Sequence, residues 1–165
     1  MKEKKIVPKY ELYRSQGEDK LRNDFTELFR QCPIPDNELL SNLGLFLSSK
    51  NLSRLLYLHY LYTQIIDTQG IIIEFGTRWG QNVSIFSALR GIYEPFNRHR
   101  KIVAFDTFAG FPGIAEKDNQ GHEIIKKGGF NVTKDYAQYL ERVLAFHEQD
   151  NPMSHVKRFD IRVGD

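Results

Sequence analysis

The stretch that most constrains this chain is Gly70-Ile71-Ile72-Ile73-Glu74-Phe75-Gly76, a β-branched run of strand length with a glycine at each end. A continuous apolar run this short predicts a strand buried on both faces, as in a parallel sheet. A parallel neighbour is reached only through a crossover, and the sequence supplies one. Val83, Ile85 and Phe86, Leu89, Ile92 and Tyr93, and Phe96 recur at helical spacing and are closed by Glu94-Pro95. Lys101-Ile102-Val103-Ala104-Phe105-Asp106 is then a second strand, and it ends on a carboxylate. Thr133 is placed to cap a helix with Tyr136, Tyr139, Leu140, Val143, Leu144 and His147 on its apolar face, and Val156 to Val163 has strand character. Strand, helix, strand, helix, strand implies right-handed crossovers. The expected class is α/β, a Rossmann-like parallel sheet of about three strands with helices on both faces.

Before Gly70 the period is helical. Leu39, Leu40, Leu43, Phe46 and Leu47 form one amphipathic set, and Leu52, Leu55, Leu56, His59, Tyr62, Ile65 and Ile66 another, with Ser53 near the start of the second. Leu21 to Arg30 is a weaker helix, and the two prolines of Cys32-Pro33-Ile34-Pro35-Asp36 mark a connector. This divides the chain into a helical amino-terminal extension, 1–69, and a Rossmann-like part, 70–165. His59 and His147 lie on apolar faces and are expected to be packed, and Arg98-His99-Arg100-Lys101 reads as a solvated turn.

Charge removes several function classes. Lys and Arg number 23 against 21 Asp and Glu, a net charge of +2, which offers no electrostatic case for a nucleic-acid partner. No run of 18 apolar residues exists to span a membrane, and the charged residues after Met1 lack the apolar core of a secretory signal, so the expected location is cytoplasmic. The single cysteine, Cys32, cannot pair within the chain.

The chemistry concentrates in Glu74-Phe75-Gly76-Thr77-Arg78-Trp79-Gly80, a carboxylate at a strand end followed by two glycines in the turn into a helix. In open α/β sheets ligands sit beyond the carboxyl ends of the strands. Gly76 lets backbone approach a ligand, Gly80 is expected to let the helix start pack against the strand, and the helix amides favour an anionic group. Asp106, at the next strand end, is placed to accept both hydroxyls of a ribose. Dinucleotide sites usually show G-x-G-x-x-G, whereas here Arg78 replaces a middle glycine and an acid precedes the turn. Glu74 would repel a pyrophosphate and suits a cationic amino-acid end. S-adenosylmethionine has a ribose, an ammonium and a carboxylate. An NAD-dependent oxidoreductase and a non-catalytic Rossmann-like binding module are the alternatives. The aperiodic stretch Thr107 to Val132 has the length of a lid or substrate loop.

Ile72 to Gly80 together with Val103 to Pro112, above all the Asp-x-Phe-x-Gly-x-Pro pattern of Asp106 to Pro112, resembles class I S-adenosylmethionine-dependent methyltransferases. The similarity is to the branch of macrocin and mycinamicin sugar O-methyltransferases, over about residues 50 to 165, and Ser53-Arg54-Leu55 resembles a segment ahead of the glycine turn there. The resemblance implies methyl transfer to a hydroxyl of a sugar-like small molecule. It assigns the cofactor to Glu74, Phe75, Gly76, Thr77, Arg78, Gly80, Asp106, Thr107 and Phe108. It implies a histidine base in the long loop, where His122 falls, and Mg2+ held by aspartates beyond Asp165, with no metal ligand in this chain. Where that branch has Trp then Arg, this chain has Arg78 then Trp79. The third strand arrives only in the last residues, so the chain is expected to hold the cofactor-binding half of a larger sheet, incomplete at its carboxyl end. The apolar amino-terminal helices suggest a homo-oligomer.

Overall fold

The computed structural model describes residues 17–115 and 125–164. The chain divides into two compact units between Leu52 and Ser53. In the first unit, α1 (Glu18–Arg30) is followed by the single turn α2 (Asp36–Leu39) and a 3-10 helix (Leu40–Phe46). The amphipathic helix expected around Leu39 to Leu47 is thus mostly 3-10 in form. Gly44 and the local hydrogen bond from Asn42 Nδ2 to the Glu38 carbonyl weaken a regular α-helix there. Phe46 holds this segment to α1, edge-on to Phe29 at 4.8 Å between ring centres.

Helix α3 (Ser49–Thr63) starts a turn earlier than Ser53 suggested. Ser48 is the reason: its Oγ accepts the Asn51 amide at 3.3 Å and its carbonyl accepts that of Leu52 at 2.8 Å. In the second unit, β1 (Ile72–Phe75), α4 (Gln81–Tyr93), β2 (Ile102–Asp106), α5 (Tyr136–Gln149) and β3 (Phe159–Val163) follow in the expected alternation. The strands are parallel in the order β1-β2-β3, with Ile72 beside Ile102 and Ile102 beside Phe159. Helix α5 begins after Asp135, whose φ is 59°, with no side-chain cap, and Thr133 contributes its carbonyl to the Tyr136 amide instead of capping.

The core lies between the sheet and α4 and α5, where Val83, Ile102, Ala104, Leu140, Leu144 and Phe159 are buried together. Helices on both faces were expected, but among the described residues α4 and α5 cover one. Strand order 1-2-3 steps twice in the same direction, and two right-handed crossovers in one direction deliver both helices to the same side. The burial of β1 therefore alternates, with Ile73 47% and Phe75 78% exposed on the other face, where burial on both faces was expected. Among the described residues β1 has a strand partner on one side only.

Two buried ion clusters fasten the elements. Glu148 of α5 accepts Arg90 of α4 on Oε1 and Arg158, just before β3, on Oε2 at 3.2 Å. Arg100 is buried rather than part of a solvated turn. Its Nε donates to Glu94 at 2.9 Å, and its terminal nitrogens reach the carbonyls of Ile65, Thr68 and Gly70, tying the end of α3 to the start of β2. Burial pushes Glu94 up, but hydrogen bonds from Arg100, Tyr62 and Asn97 outweigh it and hold the carboxyl below its ordinary value. Its contribution to stability is present above the unfolded-state value and is lost as pH falls through the folded one, in the range beneath about pH 4. Thermal melts should therefore show a weaker acid dependence below that pH in Glu94→Gln than in the parent chain. An unchanged slope would remove Glu94 from the account. His59 is half-buried, with a ring nitrogen 2.5 Å from the Tyr93 hydroxyl, and His147 is also half-buried, where burial pulls its value down.

Candidate functional site

The site is assembled where β1 and β2 end. The Gly76 and Thr77 amides both donate to the Phe105 carbonyl, at 2.9 and 3.2 Å, which carries the sheet pairing into the turn. Gly76 has φ 73°, and a Cβ there would meet nothing within 4 Å among the described residues. Its backbone conformation asks for glycine, and the space above it is open to a ligand. Gly80 also has φ 73°, but a Cβ would fall 2.3 Å from Leu140 Cδ1. The close approach that Gly80 permits is thus to α5, not to the strand as expected.

Asp106 holds the two ligand-side turns together. Its Oδ2 accepts the Arg78 amide at 2.7 Å and its Oδ1 accepts the Phe108 amide at 2.6 Å. Arg78 and Phe108 both adopt left-handed backbone, φ 51° and 54°, which is costly for side-chain-bearing residues and is offset by these two charge-assisted bonds. Each carboxylate oxygen keeps acceptor capacity for a further donor. A cavity of about 540 Å³ opens beside Asp106, walled by Phe75, Gly76, Arg78, Phe105 and Thr107, with Gly110, Phe111, Pro112, Gly129, Phe130 and Gly164 completing it.

The last group belongs mostly to the long loop, and its two described ends lie side by side. The Phe111 amide donates to Gly129 O at 3.1 Å, and the Gly128 amide to Phe111 O at 2.9 Å. Phe111 and Phe130 meet edge to face at 5.6 Å, and the Arg78 guanidinium stands 5.0 Å from the Phe130 ring centre. Gly110, at φ 79°, makes this pairing possible, since a Cβ would fall 2.3 Å from Gly129 O and 2.7 Å from Gly128 carbonyl atoms. Gly110→Ala adds a backbone clash to a strained φ, so a loss of about 2 kcal/mol is expected in urea unfolding. A loss below a few tenths would show that the loop ends separate at little cost.

The expected site residues divide accordingly. Phe75, Gly76, Arg78, Asp106 and Thr107 line the cavity. Thr77 is buried, Gly80 packs on Leu140, and Phe108 packs on the core beside Tyr136. Glu74 does not line the cavity: its Oε1 accepts Asn82 Nδ2 at 2.5 Å, and its buried Oε2 has no hydrogen-bond partner among the described residues. Burial is the largest influence and pushes its carboxyl up, opposed by the hydrogen bonds of Asn82 and Thr77. His122 lies outside the described residues. Among the described residues no group of three or more His, Cys, Asp or Glu side chains could hold a metal ion.

Sequence reasoning missed Asn82, which carries no motif signal because its role depends on α4 starting under Glu74. It also placed Tyr136 on an apolar face without seeing that its hydroxyl donates to Trp79 O at 2.9 Å, pinning the glycine turn to α5. The residues present suit the nucleoside of S-adenosylmethionine, with an open glycine cradle and Asp106 with acceptor capacity for hydroxyls, while Glu74, the carboxylate for a cation, sits next to the cavity-lining Phe75 without lining the cavity itself.

The fold built on this parallel sheet, with acids ending its first two strands around a glycine turn, is similar to that of solved methyltransferase structures. The particular likeness is to CalS11. The crystal structure of that calicheamicin methyltransferase matches with a TM-score of 0.88 and 41% identity, covering 93% of this chain and 60% of its own. An apo structure of CalS11, a TDP-rhamnose 3'-O-methyltransferase in calicheamicin biosynthesis, matches with a TM-score of 0.77 and 36% identity, covering 93% of this chain and 58% of its own. The chain therefore spans about three fifths of the length of these structures. No family profile and no curated protein matches it. No described helix is long and apolar enough to cross a membrane.

Proposed function

We propose that this chain carries the S-adenosylmethionine site of an O-methyltransferase acting on a hydroxyl of a sugar or similar small molecule. The observation that carries the reading is Asp106, which clips two left-handed turns around a cavity and keeps acceptor capacity suited to ribose-like hydroxyls. The 41% identity to a sugar O-methyltransferase supports the acceptor class.

When bound, S-adenosylmethionine would supply an electrophilic methyl carbon on a sulfonium for transfer to an acceptor hydroxyl, with the neutral thioether as leaving group. The chain's own residues do the positioning. Asp106 would receive the ribose hydroxyls, Gly76 would admit the ligand against the backbone, and Glu74 Oε2, which does not line the cavity, would accept the ammonium where the amino-acid end reaches past Phe75 and Gly76. Phe111 and Phe130, fastened by the loop pairing, exclude water from one wall. His122 takes the hydroxyl proton as the acceptor oxygen attacks. The magnesium ion implied by the resemblance finds no grouped ligands among the described residues, and no step is routed through it.

Calorimetry of the full chain with S-adenosylhomocysteine tests the cofactor reading, with NAD as competitor. Binding that NAD does not displace is expected. No heat at millimolar ligand, or displacement by NAD, would sink it. For the base, His122→Ala should lower methyl transfer by about 100-fold at unchanged cofactor affinity. Equal turnover would remove His122 from the mechanism.

A further inference from the structure

Glu74 is the end of a short polar chain. Its Oε1 accepts Asn82 Nδ2 at 2.5 Å, and Asn82 Oδ1 in turn accepts Arg54 Nε at 3.3 Å and an Arg54 terminal nitrogen at 2.9 Å. Arg54 is brought there by the packing of α3 on α4. It lies one turn before Leu58 and two before Tyr62, both buried, and Tyr62 meets the Phe86 ring of α4 at 6.2 Å. We infer that Asn82 and Arg54 are positioning residues that fix the orientation of Glu74 and keep it an acceptor for the cationic amino-acid end of the ligand. The inference rests on the S-adenosylmethionine reading above.

The argument is one of donors and acceptors. A guanidinium only donates, so the amide oxygen of Asn82 must face Arg54 and its NH2 group is left for Glu74. The outermost residue thus sets the direction of the whole chain. Glu74 meets a donor, which favours its ionised form. Burial and the nearby charge of Asp106 act against ionisation, while Asn82, Thr77 and the Arg54 charge act for it. With Oε1 engaged by Asn82, and with Thr77 Oγ1 directed to the Glu74 backbone carbonyl at 3.5 Å, the buried Oε2 is the acceptor left among the described residues. Such an atom is costly until a donor reaches it, and an ammonium supplies both donor and counter-charge. Without Arg54 the Asn82 amide is free to turn over and present its oxygen to Glu74, which favours a protonated carboxyl.

Two probes that differ only at the amino-acid end separate this role from general damage: S-adenosylhomocysteine, and 5'-methylthioadenosine, which keeps the nucleoside and lacks that end. Arg54 is exposed, so Arg54→Met leaves the core intact. Calorimetry on the full chain should show Arg54→Met and Asn82→Ala weakening S-adenosylhomocysteine about tenfold, with 5'-methylthioadenosine held within about twofold. Arg54→Lys, which still only donates, should recover most of the loss. As the pH is lowered, weakening of the homocysteine ligand should set in at a higher pH in Arg54→Met than in the parent, because the Arg54 charge is one of the influences that hold the Glu74 carboxyl down. Equal loss of both probes, no loss of either, or no lysine recovery would overturn the inference. A parent chain that binds 5'-methylthioadenosine but gains nothing from the amino-acid end would overturn it while sparing the cofactor reading. A parent that binds neither overturns both.

Discussion

Glu148→Ala is expected to lower the unfolding free energy by about 3–5 kcal/mol, a large part of what a domain of this size has in total. Arg90 and Arg158 are each fully buried and both depend on this one carboxylate. Arg90 also donates to the carbonyls of Arg100 and Arg158, and Arg158 to those of Pro95 and Asn97, so neither guanidinium can swing out to water without breaking backbone contacts. Removing Glu148 leaves two like charges in the interior with no counter-charge. The same substitution at Glu141, whose partner Lys157 is exposed, should cost under about 1 kcal/mol. Urea unfolding of the two variants side by side provides the check, with slopes compared to confirm that both start folded. A Glu148→Ala loss as small as that of Glu141→Ala would show that the buried cluster relaxes or hydrates.

Asp106→Asn is expected to reduce affinity for S-adenosylhomocysteine by about 100-fold, close to 2.7 kcal/mol. Two backbone amides point at this side chain, from Arg78 and Phe108, and both need an acceptor. An amide offers one oxygen and one NH2 group, so one donor must face another. Either Arg78 or Phe108 then loses the bond that offsets its left-handed backbone, and one wall of the cavity shifts. The ribose also loses half of its acceptors. Because the damage is at the nucleoside, 5'-methylthioadenosine should weaken equally, which is the opposite of the pattern expected at Arg54. Binding of both probes within about threefold of the parent would remove Asp106 from the site.

Local chemistry explains what was legible in the sequence. Ile72 to Phe75 and Ile102 to Asp106 are strands because β-branched and aromatic residues crowd a helix and fill a pleated surface. Gly76 and Gly80 could be recognised because positive φ leaves glycine as the natural choice. Less was legible where meaning depends on what arrives from elsewhere. Arg100 looks like part of a basic turn until Glu94 and three carbonyls of another segment close around it. Glu74 looked ligand-facing by position, yet one of its oxygens belongs to Asn82. Leu140 gives Gly80 its close contact, a pairing that spans two elements and leaves no trace in either.

The sequence by itself determined the alternation of strands and helices, the parallel sheet, and the acids that end its first two strands, since periodicity and strand-end position are properties of contiguous residues. Only the tertiary structure decided that both helices cover one face, because that follows from strand order and crossover handedness together. It also decided which acid faces the cavity and which is held by a neighbouring amide, because a carboxylate's role is set by the donors that packing brings to it.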